Sequence, residues 1–372
     1  MNWHASLSFR VATLLLLALL WLNPINAEEP TELRAAMQQL GSGVAELLPQ
    51  VYAQSAGRSE FVRALTSLEQ LLAEAEDHLA HKPVTSQITY RVLRRHISEA
   101  LMYAESARLG TVQSMFRQSI ALCAGCHRQD QIVAGTSPLF DAGRLGDFVS
   151  GELRFLTRDY DNAAERYLAF WRYELSNEER RQLVLHRLLI ISLEVKNNPS
   201  AAIKFLEQAQ YDGYRFSGES QRIETWLRTL ELVTDRDQST LPPTDSMAAL
   251  DEYMNHQWPE IAEDLDADAK LIYWLLIRHE LNRYLQASVK ENLPVILYWL
   301  ARSDRETNYR LYDFVSRQYL EHCVRDFSRH PYAKRCYEEY DLLMHTFFMT
   351  SSGRKIPARI RAEMDELKLL LD

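Results

Sequence analysis

The sequence predicts an all-α fold, on three observations. It carries 12 glycines and 12 prolines in 372 residues, where average usage would supply roughly 45 of the two together. Apolar residues recur at three- and four-residue spacing over long stretches, the pattern of helices that bury one face. Glycine-rich phosphate loops and dense turn signals are missing, which argues against a dinucleotide-binding sheet and an all-β sandwich. Hydrophobic content of 47% and charged content of 25% are those of a globular chain. The net charge of −9, with no long basic run, argues against nucleic acid as a partner, because phosphate contacts need clustered Lys and Arg.

The first element is an export signal. Residues 1–27 combine Arg10, the unbroken apolar run Val11 to Leu22 and the small residue Ala27 after Pro24-Ile25-Asn26, which reads as a secretory signal peptide. The apolar run of 12 residues is short of the roughly 20 that a spanning helix needs, although an uncleaved anchor is the alternative. The expectation is an exported protein with no transmembrane segment after cleavage.

Residues 28–132 read as four helices with short breaks. The first carries Leu33, Met37, Leu40, Val44 and Leu47; the second Phe61, Leu65, Leu68, Leu72 and Leu79. The third carries Ile88, Val92, Ile97, Leu101 and Ala104; the fourth Val112, Phe116, Ile120 and Cys123. Pro49, Gly57, Pro83 and Gly110 mark the turns. Four helices on short loops predict an up-down-up-down four-helix bundle.

The chemistry sits at the end of the fourth helix, in Cys123-Ala124-Gly125-Cys126-His127. This is the C-x-x-C-H pattern of covalent haem attachment. Two thiols separated by two residues reach the two vinyl groups of one haem, and the adjacent histidine reaches the iron. A redox pair, half a zinc site or a plain disulfide are the other readings of two such cysteines. A zinc site would want a second ligand pair at matching spacing, and a thioredoxin-like pair a βαβ setting. Phe116, Ile120, Cys123 and His127 share one stripe, which turns the haem toward the bundle interior.

This arrangement resembles the class II c-type cytochromes, the cytochrome c-prime group, over roughly a hundred residues. Its specific part is Cys123 to His127 near the end of the fourth helix. The resemblance implies a periplasmic protein with one covalent haem c, either low-spin and electron-carrying or five-coordinate and gas-binding. In an up-down bundle the start of helix one lies level with the end of helix four. Met37 stands there on the core stripe, where the low-spin branch carries its methionine ligand; plain core filling is the other reading. His78 and His81, at the end of helix two, are the next candidates, or else exposed residues that favour the helix dipole. His96 lies further along helix three and is not expected to ligate. Arg91, Arg94 and Arg95 fit either haem propionates or a basic face opposing Glu74, Glu76 and Asp77. The family is often dimeric, so a homodimer is implied, unless the appended region blocks that interface.

Residues 133–145 read as a linker, with Gly135, Pro138 and Gly143. Residues 146–233 resemble tetratricopeptide helix pairs: Gly151, Tyr160, Ala163 and Tyr167 are spaced as in such a pair, with Asp159 to Ala164 as its turn. A looser copy runs from Arg181 to Gln208 with Asn198-Pro199 as its turn, but the repeat period is not sustained. The resemblance implies a tetratricopeptide-like α-hairpin array that docks a protein partner. The polar stretch Thr234 to Ser246 separates a C-terminal helical region, 247–372. There Leu271, Trp274, Ile277, Leu281 and Leu285 predict an amphipathic helix, and Trp258, Trp274 and Trp299 read as core. Cys323 and Cys336 are equidistant from a turn expected at Arg329-His330-Pro331. In an oxidising compartment that placement favours a disulfide, with two buried thiols as the alternative.

The functional expectation is a periplasmic monohaem cytochrome that transfers electrons to or from a redox partner protein, ligated by His127 and Met37. The alternatives are a gas-binding or sensing haem, and an interaction scaffold with a structural haem. An enzyme is not expected: no H-E-x-x-H, no phosphate loop and no Ser/His/Asp arrangement appears, and carboxylates scattered on helices read as solvated faces.

Overall fold

The computed structural model describes residues 31–51, 57–79, 84–105, the positions 109, 110, 112, 113, 115, 116 and 119, then 142–156, 159–173, 178–212, 217–235, 241–287, 290–307, 313–348, 356 and 358–371. Every element among them is helical, so the all-α expectation holds. The expected signal peptide and residues 133–141 of the expected linker lie outside the described residues, and the rest of that stretch, 142–145, is helical. No described helix is long and apolar enough to cross a membrane.

The N-terminal helices are α1 (Thr31–Val51), α2 (Arg58–Leu79) and α3 (Val84–Glu105), each packed on the next. Leu47, Phe61, Leu65, Leu68, Leu72, Val92, Ile97 and Ala104 are buried, while Met37, Leu40, Val44 and Leu101 pack half-buried on the same core. Helix α1 runs two residues beyond Pro49; a proline near a helix end removes one hydrogen bond without ending the last turn. Arg58 at the start of α2 donates to the Glu105 carbonyl at the end of α3. Tyr90, nearer the start of α3, donates to the Leu72 carbonyl further along α2, which with the Arg58 bond sets α2 and α3 antiparallel, and Arg94 pairs with Glu76. Beyond them Val112, Met115, Phe116 and Ser119 are buried at helical spacing, and Gln113 Nε2 donates to the Gln50 carbonyl at 3.0 Å.

Next come α4 (Ala142–Leu156), α5 (Tyr160–Tyr173), α6 (Glu178–Leu189), which widens into the π-helical segment Ile190–Val195, then α7 (Pro199–Asp212) and α8 (Ser217–Asp235). Helix α4 is broken near its start by Gly146 at φ 71°, a conformation that glycine adopts without steric cost. The turn expected over Asp159 to Ala164 is instead a helix start: α5 begins at Tyr160, and Asp159 caps it, its carboxylate taking Arg154 and Asn162 while its carbonyl accepts from Ala163. The turn before Pro199 is closed by Asn197 at φ 47° and by Asn198 Oδ1, which accepts from the Ala201 amide at 3.0 Å.

The C-terminal region starts with α9 (Met247–Glu252), capped by Ser246, and continues through the π-helical segment Tyr253–Gln257 into α10 (Trp258–Glu263). It goes on with α11 (Ala267–Gln286), α12 (Leu293–Glu306), α13 (Asp313–Asp326), α14 (Pro331–Phe348) and α15 (Ala358–Leu369). Leu271, Trp274, Ile277, Leu281 and Leu285 are buried as expected, but so are Ile272, Tyr273, Leu275, Leu276, Arg278 and Glu280. Helix α11 is therefore not amphipathic. It is enclosed by α8, α12 and the first π-helical segment, and an unbroken run such as Leu271 to Ile277 belongs to a helix covered on all sides. The three tryptophans are core, and Trp299 Nε1 also donates to Asp251 at 2.7 Å.

The N-terminal helices do not stand apart from the rest: α1 meets α4, and α3 meets α13. Cys323 on α13 and Cys336 on α14 face each other across the turn before Pro331, with sulfurs at disulfide distance, 2.10 Å, and Cα atoms 6.3 Å apart. Closing a loop of this size stabilises a fold by about 3 kcal/mol in the chain-entropy account. Replacing both residues by Ser is expected to lower the stability measured by urea unfolding by about that amount, and an unchanged midpoint would show that the bond contributes nothing. A Cβ added to Gly151 would lie 2.7 Å from the Tyr167 ring. That ring is fully buried and its hydroxyl donates to Glu152 at 2.6 Å, so it has little room to yield. Gly151→Ala is expected to cost about 1–3 kcal/mol, read as a lower thermal midpoint.

Candidate functional site

Cys123, Cys126 and His127 lie outside the described residues, as do His81 and the side chain of His78. What the structure does give is the wall they would face. Met37 is half-buried on α1 against the apolar core, followed one and two turns later by Leu40 and Val44. The thioether is thus set among hydrocarbon, where it is a soft donor without a competing polar neighbour on its stripe. The bond from Gln113 to the Gln50 carbonyl sets the described part of the fourth stretch beside the last turn of α1.

Arg94 is paired with Glu76 on the acidic second helix, the basic-face alternative of the sequence reading. The positive charges of Arg91 and Arg95 are felt by His322 of α13 and Glu363 of α15, in keeping with the packing of α3 on α13.

His96 is almost completely buried in α3, at 1% exposure. Burial penalises its charged form and lowers its pKa from 6.5 to about 4. The imidazole is thus neutral in the folded protein at pH 7. The unfolded chain binds a proton at this residue below about 6.5 and the folded one only near 4, so the contribution is complete above 6.5 and is lost as pH falls through that window. A loss on the order of 3 kcal/mol follows from the size of the shift. His96→Gln is expected to flatten the decline of stability between those two pH values, measured by urea unfolding at stepped pH. A decline as steep as in the parent protein would reject this assignment.

The carboxylates that the sequence assigned to solvent include several that are buried. Glu152 accepts from Tyr167 at 2.6 Å and from Arg187 at 3.0 and 3.2 Å. Arg187 also lies 4.4 Å from the centre of the Phe155 ring. Arg278 reaches Glu194 at 3.2 Å, Ser303 at 2.7 Å and Asp304, and Ser316 donates to Asp304 at 2.6 Å. The sequence signal that could have found them is a charge inside an apolar face, as in Leu276-Ile277-Arg278 or Gly151-Glu152-Leu153. Glu152 and Arg187 pair one to one, whereas Arg278 is shared by the two carboxylates Glu194 and Asp304, and in both clusters the buried charges hold elements together as structural pins. Among the described residues no group of three or more His, Cys, Asp or Glu could hold a metal ion.

No family model, no curated protein and no solved structure matches this chain. The functional reading therefore rests on the motif and on the geometry around it.

Proposed function

We propose that the protein is an exported monohaem c-type cytochrome that carries electrons, with residues 28–132 forming a four-helix bundle of the cytochrome c-prime kind. The observation that carries the reading is the coincidence of two independent facts. The chain contains Cys123-Ala124-Gly125-Cys126-His127, and a methionine, Met37, packs half-buried on the core side of α1, the helix whose last turn Gln113 of the fourth stretch touches.

The donor set fits the group: two thiols, an imidazole and a thioether, with an apolar wall beside the thioether. Cys123 and Cys126 would hold haem c through thioether bonds, and His127 and Met37 would be its axial ligands. When bound, the haem supplies a one-electron ferric–ferrous couple. Thioether ligation by Met37 raises the potential relative to a more basic ligand. Leu40 and Val44 keep water from that side, and a dry surround favours the form of lower charge. The helix pairs α4 with α5, and α6 with α7, form a tetratricopeptide-like array for a redox partner protein. Gly151 against Tyr167 and the cap at Asp159 are the contacts that support this.

The test is the absorption spectrum of protein matured in a bacterial periplasm, ferric, ferrous and after carbon monoxide. Expected are low-spin bands in both oxidation states that resist carbon monoxide and are lost in Met37→Ala. High-spin bands that shift at once with carbon monoxide would replace electron transfer by gas binding. Absence of covalent haem would overturn the reading altogether.

A further inference from the structure

The last helix lies in a groove between α13 and α14. Helices α13 and α14 pack as antiparallel neighbours on α12 and are tied by the Cys323–Cys336 pair, contacts that do not themselves involve α15. Into it α15 places Ile360, Met364 and Leu367, all buried. Its two groove-side carboxylates meet arginines of α13. Arg317 Nη2 reaches both oxygens of Glu363, at 2.7 and 2.5 Å, and Arg325 reaches both oxygens of Glu366, at 2.6 and 3.3 Å. Tyr340 of α14 also donates to Glu363 at 2.8 Å. Burial alone would raise the Glu363 pKa, but Arg317, Tyr340 and the more distant charge of Arg95 hold it below the usual range. In a chain of net charge −9, this cleft sets two guanidinium groups of α13 beside an apolar floor.

We propose that the α13–α14 cleft is a recognition site for an amphipathic helix of a partner protein, and that α15 fills it in cis as an intramolecular competitor. The partner segment would present carboxylates at positions i and i+3 for Arg317 and Arg325, and apolar side chains at i−3, i+1 and i+4 for the floor. Helix-in-groove recognition reads such anchors directly. A 12-residue helix is marginal in water by itself, so α15 depends on the groove more than the groove depends on α15. Bidentate Arg–carboxylate pairs supply direction and selectivity for acidic segments over basic ones. The inference stands apart from the haem reading, since none of these residues belongs to the cytochrome motif.

The experiment uses the full chain and, as probe, a fluorescein-labelled peptide of residues 356–372, read by anisotropy. Met364→Ala with Leu367→Ala, which weakens the competitor, is expected to bind the peptide about tenfold more tightly than the parent, because the apparent affinity scales with the open fraction. Reversing the rim with Arg317→Glu and Arg325→Glu, or using a peptide with Glu363→Lys and Glu366→Lys, should abolish binding. The gentler pair Glu363→Gln with Glu366→Gln in the chain gives a second route to a loosened α15, and circular dichroism reports whether each variant is folded. No binding to a folded, loosened variant would overturn the proposal, as would binding indifferent to the arginines. Failure of both variants to fold would show that α15 is an inseparable part of the core and would overturn it too. A concentration-dependent dimer of the loosened chain would give the cleft to a second copy instead of a partner.

Discussion

The Arg278 guanidinium is the constraint on which the C-terminal architecture turns. It lies at the middle of the enclosed helix α11, where an unpaired cation would cost several kcal/mol. Its partners come from three other elements: Glu194 from the π-helical segment, Ser303 and Asp304 from α12, and, through Asp304, Ser316 of α13. The π-helical segment itself is held from the other side, where Asn282 donates to Glu194 at 3.0 Å and the His279 ring contacts the Glu194 carbonyl at 2.8 Å. Charges at this depth do not slide, because any shift of register would bury one of them alone. The network therefore fixes where α12 and α13 sit on α11.

What is fixed at α13 reaches the N-terminal helices. Helix α13 packs on α3 and carries Cys323. A second pin, Glu152 with Arg187 and Tyr167, does the same work between α4, α5 and α6, and α4 in turn meets α1. Helices α1 and α3 are thus braced from behind by two ionic centres. On the cytochrome reading this matters for chemistry. Were Met37 a ligand, a braced helix would limit its movement between oxidation states, the preorganisation an electron carrier needs.

Much of this was legible in the sequence. The helical fold, the core stripes of α1 to α3, the turn before Pro199 and the facing of Cys323 and Cys336 follow from local periodicity and turn chemistry. The Arg94–Glu76 pair was legible as an alternative only. The enclosure of α11 was misjudged, because periodicity reports one buried face and says nothing about a second layer behind it. The buried carboxylates escaped for a related reason: a lone Glu or Arg on a helix looks the same whether water or an opposite charge lies beyond it. Of the C-x-x-C-H motif the sequence supplied every residue, and the described structure supplied the apolar surroundings of Met37.

By itself, then, the sequence determined the helices, their order, the position of the C-x-x-C-H motif and the pairing across the Pro331 turn, because each depends on residues close along the chain. Only the tertiary structure decided which charges are buried together, that α3 rests on α13, and that α15 lies in the α13–α14 cleft beside two arginines of α13. Those contacts join residues separated by tens to hundreds of positions, and their energies depend on desolvation and packing that no local pattern encodes.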